Sequence, residues 1–191
     1  MQPSRPRFEY RAWAEAFPDL PRPESEPFTD EVYLIPLGLG GRDIKIRGGA
    51  LEMKDLVLEQ DGLPLWDPAV RLEFPIPTRL VERELLERLA LNQVLQRQRY
   101  TQEELLEELA EARRNIAVVP VQKRRRLLEI AGCRAESGEV LVAGRRLLTA
   151  AAEHETPDAL RRAVGEMKLA RYPNLDYPAA LTRLLPLHRA A

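Results

Sequence analysis

Lys45-x-Arg47 and Lys123-x-Arg125 are pairs of cations two residues apart, and Glu153-x-Glu155 is a pair of carboxylates at the same spacing. In an extended chain, residues two apart project from the same side, so each pair would aim like charges in one direction. Lys and Arg so placed can neutralise phosphate oxygens, and carboxylates can hold a hard divalent cation. Brought together they would have the composition of a metal–polyphosphate site. The same spacing also fits a salt-bridged, solvated sheet face, the ordinary outer surface of an antiparallel sheet. Which of the two is present depends on the elements that carry these residues.

The clearest element runs from Asp43 to Lys54. Its residues alternate in polarity on both sides of Gly48-Gly49, a dipeptide suited to a two-residue hairpin that needs φ > 0. Such a hairpin sets Arg47 opposite Ala50 and Lys45 opposite Glu52, because directly opposed residues share a face. One face then carries Lys45, Arg47, Glu52 and Lys54; the other carries Ile44, Ile46, Leu51 and Met53, which must be covered.

A second group of strands follows the same rule. Strands over 117–129, 133–142 and 145–155 are separated by Ala131-Gly132 and Ala143-Gly144, which makes a meander. Ile130 then opposes Cys133 and Val142 opposes Arg145. That register puts Lys123, Arg125, Glu136, Glu153 and Glu155 on one face. A bulge in any of these strands would invert part of the assignment. Pro120, which cannot donate to a ladder, points to an edge or a bulge there.

The remaining elements are read from punctuation and period. Arg7–Trp13 alternates as a first strand, with Arg7, Glu9, Arg11 and Trp13 on one face. Pro18, Pro21, Pro23 and Pro27 make 17–30 a loop. Residues 31–37 read as a second strand, and 66–74 as a short extended piece closed by prolines. Thr78 is placed as the N-cap of a helix to about Leu91. Thr101 and Glu104 form a capping box for another that ends near 113–115. These helices, at about 78–115, carry no evident chemistry and are expected to cover the apolar face of the sheet. Thr156-Pro157-Asp158 opens a further helix to about Lys168, and 179–187 a last short one. The 191 residues are expected to form one domain.

Lys and Arg number 29 against 30 Asp and Glu, so overall charge marks neither nucleic acid nor membrane as a partner. An anion site here has to arise by segregating charge within the fold. Cys133 is the single cysteine, which excludes an internal disulfide framework and fits a reducing, cytoplasmic setting. No apolar run reaches membrane-spanning length. His154 and His188 lack zinc spacing, and His154 falls on the face opposite Glu153. Gly38-Leu-Gly-Gly41 precedes a strand rather than a helix, so it is not a phosphate loop. Arg124-Arg125-Arg126 alternates between faces, and aromatic residues at 6% leave little for base stacking, so no nucleic acid is expected.

In order along the chain, these pieces resemble the CYTH superfamily, the triphosphate tunnel metalloenzymes. The matching stretches are Glu9-x-Arg11, Ile44-Lys-Ile-Arg47 followed by Lys54, and Lys123-x-Arg125. After them come Glu136, Glu153-x-Glu155 and Asn174-Leu-Asp-Tyr177. The resemblance spans nearly the whole chain and rests on order and spacing rather than on one specific motif. It implies an α+β fold in which an antiparallel barrel-like tunnel, with helices packed outside, binds triphosphate or another phosphoanhydride. Arg11, Lys45, Arg47, Lys54, Lys123 and Arg125 would contact the substrate, and Glu9, Glu136, Glu153 and Glu155 would hold Mg²⁺ or Mn²⁺. The partner would be a phosphorylated small molecule or inorganic polyphosphate, and the activity phosphoanhydride hydrolysis. The family's first strand reads Glu-x-Glu-x-Lys, whereas the aligned face here reads Arg7-x-Glu9-x-Arg11, with a cation in place of one carboxylate. The alternative role is therefore a non-catalytic phosphate-binding module on the same fold.

Overall fold

At Gly48 and Gly49 the backbone takes φ of 55° and 76°, as a type I′ turn requires. The strands it joins, β3 (Arg42–Arg47) and β4 (Ala50–Gln60), pair with Arg47 opposite Ala50 and Lys45 opposite Glu52. This hairpin is one corner of a closed antiparallel barrel in a computed structural model that describes residues 5–112 and 114–184. The other large strands are β1 (Arg7–Ala14), β2 (Thr29–Pro36), β5 (Leu63–Glu73), β8 (Ile116–Ile130), β9 (Cys133–Val142) and β10 (Arg145–His154). Around the barrel their order is β1-β10-β9-β8-β2-β3-β4-β5. Closure rests on a short β1–β5 contact, Arg7 opposite Trp66 and Phe8 opposite Leu65.

The meander has the register that its turns dictate, Ile130 opposite Cys133 and Val142 opposite Arg145. Pro120 sits inside β8 opposite Val32 of β2, while the β9 ladder begins only at Gln122. The proline thus occupies a position with a strand on one side alone, which is how an imino nitrogen is tolerated in a closed barrel. β4 carries the irregularities, with register shifts between Met53 and Asp55 and between Leu56 and Leu58.

A two-residue ladder, β6 (Ile76–Pro77) with β7 (Arg99–Tyr100), brackets the first helical stretch. That stretch is continuous: α1 (Thr78–Leu80), a π-helical segment Val81–Leu86, and α2 (Glu87–Leu89). Thr78 is the first helical residue rather than the cap. Extended Pro77 holds the cap position, and the Thr78 hydroxyl donates to the Arg97 carbonyl instead. In α3 (Gln102–Ala110) the capping box is present, with Glu104 N donating to Thr101 Oγ1 at 3.2 Å and Thr101 N to Glu104 Oε2 at 3.0 Å. Val81, Leu85, Leu89, Leu105 and Leu109 pack on Ile44, Ile46, Leu51 and Met53, so these helices do cover the apolar face of the hairpin.

Behind β1 and β10, α4 (Pro157–Glu166) buries Leu160, Ala163 and Val164 against Phe8, Ala12, Ala150 and Ala152. Thr156 caps α4 by position without a side-chain bond, because its hydroxyl pairs with His154 Nδ1 at 3.0 Å. The last described helix, α5 (Tyr177–Leu184), differs from the others in what it covers. Its Tyr177 and Leu181 join Tyr33, Ile35, Val119, Val121, Val140 and Val142, side chains that share the inward parity of Lys45, Lys123 and Glu136. One end of the bore is thereby filled with apolar groups. The part of the last helix expected beyond 184, with His188, and the basic residue Arg113 lie outside the described residues.

Candidate functional site

An eight-stranded barrel is just wide enough to be filled by side chains or to hold one small ligand. Here the two outcomes divide the bore. Away from the apolar end lies a cavity of about 620 Å³. Among the described residues, ten Lys and Arg side chains and five Asp and Glu side chains line it, in a chain whose formal net charge is −1. The excess of cations arises from alternation, which turns one parity of each strand inward.

Arg11, Lys45, Arg47, Lys54, Lys123 and Arg125 all line this cavity, as do Glu9, Glu136 and Glu153. Glu155 does not. It follows the last residue of β10, where no ladder fixes its direction, and pairs with Arg5 at 3.2 Å in an exposed position. Arg124, between two inward neighbours, faces outward onto Glu139. Cys133 is buried, and burial pushes its thiol above the ordinary value, which suits an inert packing residue.

Each inward carboxylate is held by cations. Arg11 donates from Nε to Glu9 Oε1 at 2.9 Å and from Nη1 to Glu136 Oε1 at 2.8 Å. Glu9 Oε2 lies 3.5 Å from Lys54 Nζ, and Glu136 Oε2 accepts from Arg125 at 3.2 Å. Glu153 Oε1 is shared by Arg7 at 3.0 Å and Arg134 at 3.3 Å. Burial opposes ionisation of Glu9 and Glu136, yet Arg11 with Lys54, and Lys123 with Arg11 and Arg125, outweigh it and hold both carboxyls below the ordinary value.

The lysines stand in the opposite balance. Lys45 and Lys123 are 7% and 4% exposed, and burial lowers both from their ordinary value despite nearby carboxylates. Lys123 Nζ approaches Glu31 and Glu136 no closer than 3.9 and 4.0 Å, too far for a strong hydrogen bond. Its ammonium instead lies 4.4 Å from the centre of the Tyr177 ring, with the Arg11 guanidinium 4.5 Å from the same ring. Tyr177 stacks on Tyr33 and meets Trp13 edge-on, an aromatic base on which the cations rest. Among the described residues, the Tyr177 hydroxyl and Asp43 Oδ1 are buried without a hydrogen-bond partner, and both residues line the cavity. A buried hydroxyl without a partner in a cation-lined cavity is a donor available to a ligand.

Several lining residues fall outside the set expected from the sequence: Arg7, Asp43, Glu52, Arg71, Arg134 and Tyr177. Arg7 and Asp43 share parity with Glu9 and Lys45 and could have been found from it. Arg134 stands opposite Glu153 in the β9–β10 register, and one more step of the hairpin rule reaches it. Tyr177 ends the Asn174-Leu-Asp-Tyr177 stretch, but its place at the base of the bore depends on how α5 docks.

The carboxylates fit a divalent cation poorly. A hard metal needs several free oxygen ligands converging on one point. Among the described residues, no group of three or more His, Cys, Asp or Glu side chains is arranged to hold a metal ion. Glu9, Glu136 and Glu153 instead converge on Arg7, Arg11 and Arg134.

Among the described residues, no helix is long and apolar enough to cross a membrane. No family model matches this sequence, and no curated protein matches it. Among solved structures, a protein from Bacillus halodurans described as a "putative adenylate cyclase" superimposes with a TM-score of 0.51. At 8% identity the match covers 93% of this chain and 96% of that one, so the two share the barrel fold from end to end.

Proposed function

We propose that this protein binds a polyphosphate anion, triphosphate or an organic phosphoanhydride, in the charged part of the barrel. The observation that carries the reading is the excess of five cations, among the described residues, around one cavity. So many like charges in a low-dielectric bore repel one another unless an anion joins them. Lys123, buried with its carboxylates 3.9 and 4.0 Å away, and the Tyr177 hydroxyl, without a hydrogen-bond partner among the described residues, are the groups readiest to meet phosphate oxygens. Lys45, Arg47 and Lys54 would face them from β3 and β4. The resemblance to the triphosphate tunnel proteins supports the same ligand class, and the description of the structural neighbour as a "putative adenylate cyclase" makes ATP a ligand to test beside triphosphate.

Hydrolysis of the anhydride is the second reading, favoured by the carboxylates of Glu9, Glu136 and Glu153 lining the same cavity. Because their oxygens face guanidinium groups rather than one another, a binding role fits the geometry better than a metal-dependent one. Calorimetric titration with tripolyphosphate and ATP, alongside phosphate-release assays with Mg²⁺ or Mn²⁺, separates the two. Saturable binding with no release supports the binding module. Metal-dependent release that is lost in Glu153→Gln supports hydrolysis, and absence of binding by either ligand removes both readings.

A further inference from the structure

The register of the barrel sets Glu9 directly opposite Glu153 on β1 and β10. Two carboxylates opposed across a strand pair repel, and something positive has to lie between or beside them. A divalent cation would serve, but the chain supplies its own charge. Arg7, two residues before Glu9 on the same strand, reaches Glu153 at 3.0 Å. Arg134, opposite Glu153 on the other side, reaches the same oxygen at 3.3 Å. Arg11 spans Glu9 and Glu136, and Lys54 approaches the remaining Glu9 oxygen.

We infer that Arg7 and Arg11 stand in place of a divalent cation, so that the cavity takes a polyphosphate as the bare anion rather than as its magnesium complex. This inference rests on the polyphosphate reading and narrows it. A divalent ion would have to displace guanidinium groups from hydrogen-bonded carboxylates and then sit among them, where like charges cost most. A bare polyphosphate meets the outward N–H groups of the same guanidiniums, which donate in a fork matched to phosphate oxygens. The site therefore selects against the metal complex through Arg7.

The test is calorimetric titration of the full chain with tripolyphosphate, once in EDTA and once in excess Mg²⁺, together with titration of Mn²⁺ alone. The expected result is binding in EDTA and equal or weaker apparent affinity in Mg²⁺, because Mg²⁺ withdraws free ligand into its complex. Mn²⁺ alone should give no saturable heat and no change in melting temperature. Arg7→Glu should weaken binding in EDTA by about tenfold or more, since a charge-assisted bond is replaced by repulsion, and should gain affinity on adding Mg²⁺. Arg7→Gln should weaken binding in EDTA without any gain from Mg²⁺. Binding that is about tenfold tighter in Mg²⁺ than in EDTA, or stoichiometric Mn²⁺ binding by the unaltered protein, overturns the inference while leaving the polyphosphate reading intact. An Arg7→Glu protein that stays folded by circular dichroism and binds like the unaltered one overturns it too. If tripolyphosphate binds in neither buffer, the polyphosphate reading fails and this inference goes with it.

Discussion

Arg11 and Glu136 meet across a strand that separates them. Arg11 on β1 stands opposite Ala151 on β10, and Ala151 stands opposite Glu136 on β9, so the three occupy one row of the barrel. The methyl group of Ala151 leaves room above it, and Arg11 Nη1 passes over to Glu136 Oε1 at 2.8 Å. Thr149 Oγ1, 3.2 Å from the same nitrogen, completes the contact.

Glu136→Gln is expected to destabilise the ligand-free protein by roughly 3 kcal/mol, the usual scale for breaking a buried ion pair. The cause is uncompensated charge on Arg11, Lys123 and Arg125, which all face Glu136. The same excess charge should make tripolyphosphate raise the melting temperature more than it does in the unaltered protein. Equal ligand-free melting temperatures for the two proteins would refute the role given to this pair.

Acid should act through Glu9 and Glu136. Their folded values lie below the ordinary 4.5, so their contribution is complete above that pH and is lost as the pH falls through the folded values. Urea melts below pH 4.5 should show falling stability, and Glu136→Gln should show a shallower fall. At the alkaline end, Lys45 and Lys123 are lowered from 10.5, so the folded protein sheds their protons first and their contribution to stability rises with pH up to that value. Anion affinity should weaken over the same range, and binding there should take up protons. Calorimetry in buffers of different ionisation enthalpy reads that uptake directly.

Lys123→Met should reduce tripolyphosphate affinity by roughly tenfold or more, the scale of one lost charge-assisted bond. Stability without ligand should change little, because the ammonium lies 3.9 and 4.0 Å from its carboxylates and Glu136 keeps Arg11 and Arg125 while Glu31 keeps Arg47. Arg124→Ala, on the outer face, should leave affinity unchanged. Parallel losses of affinity in both variants would mean that the anion binds elsewhere.

Tyr177→Phe removes a buried hydroxyl that has no hydrogen-bond partner among the described residues. The ring keeps its place against Tyr33, Trp13, Arg11 and Lys123, so ligand-free stability should be unchanged or higher by about 1 kcal/mol. Tripolyphosphate affinity should fall severalfold. If stability drops while affinity is retained, the hydroxyl serves the fold and not the ligand.

Much of the site's wall is legible in the sequence, and for a local reason. A two-residue turn dictates which residues oppose each other, and strict alternation then carries that choice along both strands. Gly48-Gly49, Ala131-Gly132 and Ala143-Gly144 thus place Lys45, Arg47, Lys123, Arg125 and Glu136 on common faces, and the structure has those registers. The capping box at Thr101 and the helical cover over Ile44 and Leu51 are readable in the same way, from spacings of a few residues.

Tertiary structure decided what spacing could not. Alternation says which residues share a face, but not whether that face is the inside of a barrel or its outside. Closure decides this, and it depends on the β2–β8 pairing and the brief β1–β5 contact, which join residues far apart in the chain. Closure also selected among residues of equal parity: Glu153 is held inward by ladders on both sides, while Glu155, beyond the end of its strand, turns out to Arg5. Arg7 lies on Glu153, and Tyr177 at the base of the bore, because side chains from distant segments compete there for the same oxygens and the same space. Sequence determined the charge carried by each wall; packing determined which of those charges are left facing the cavity.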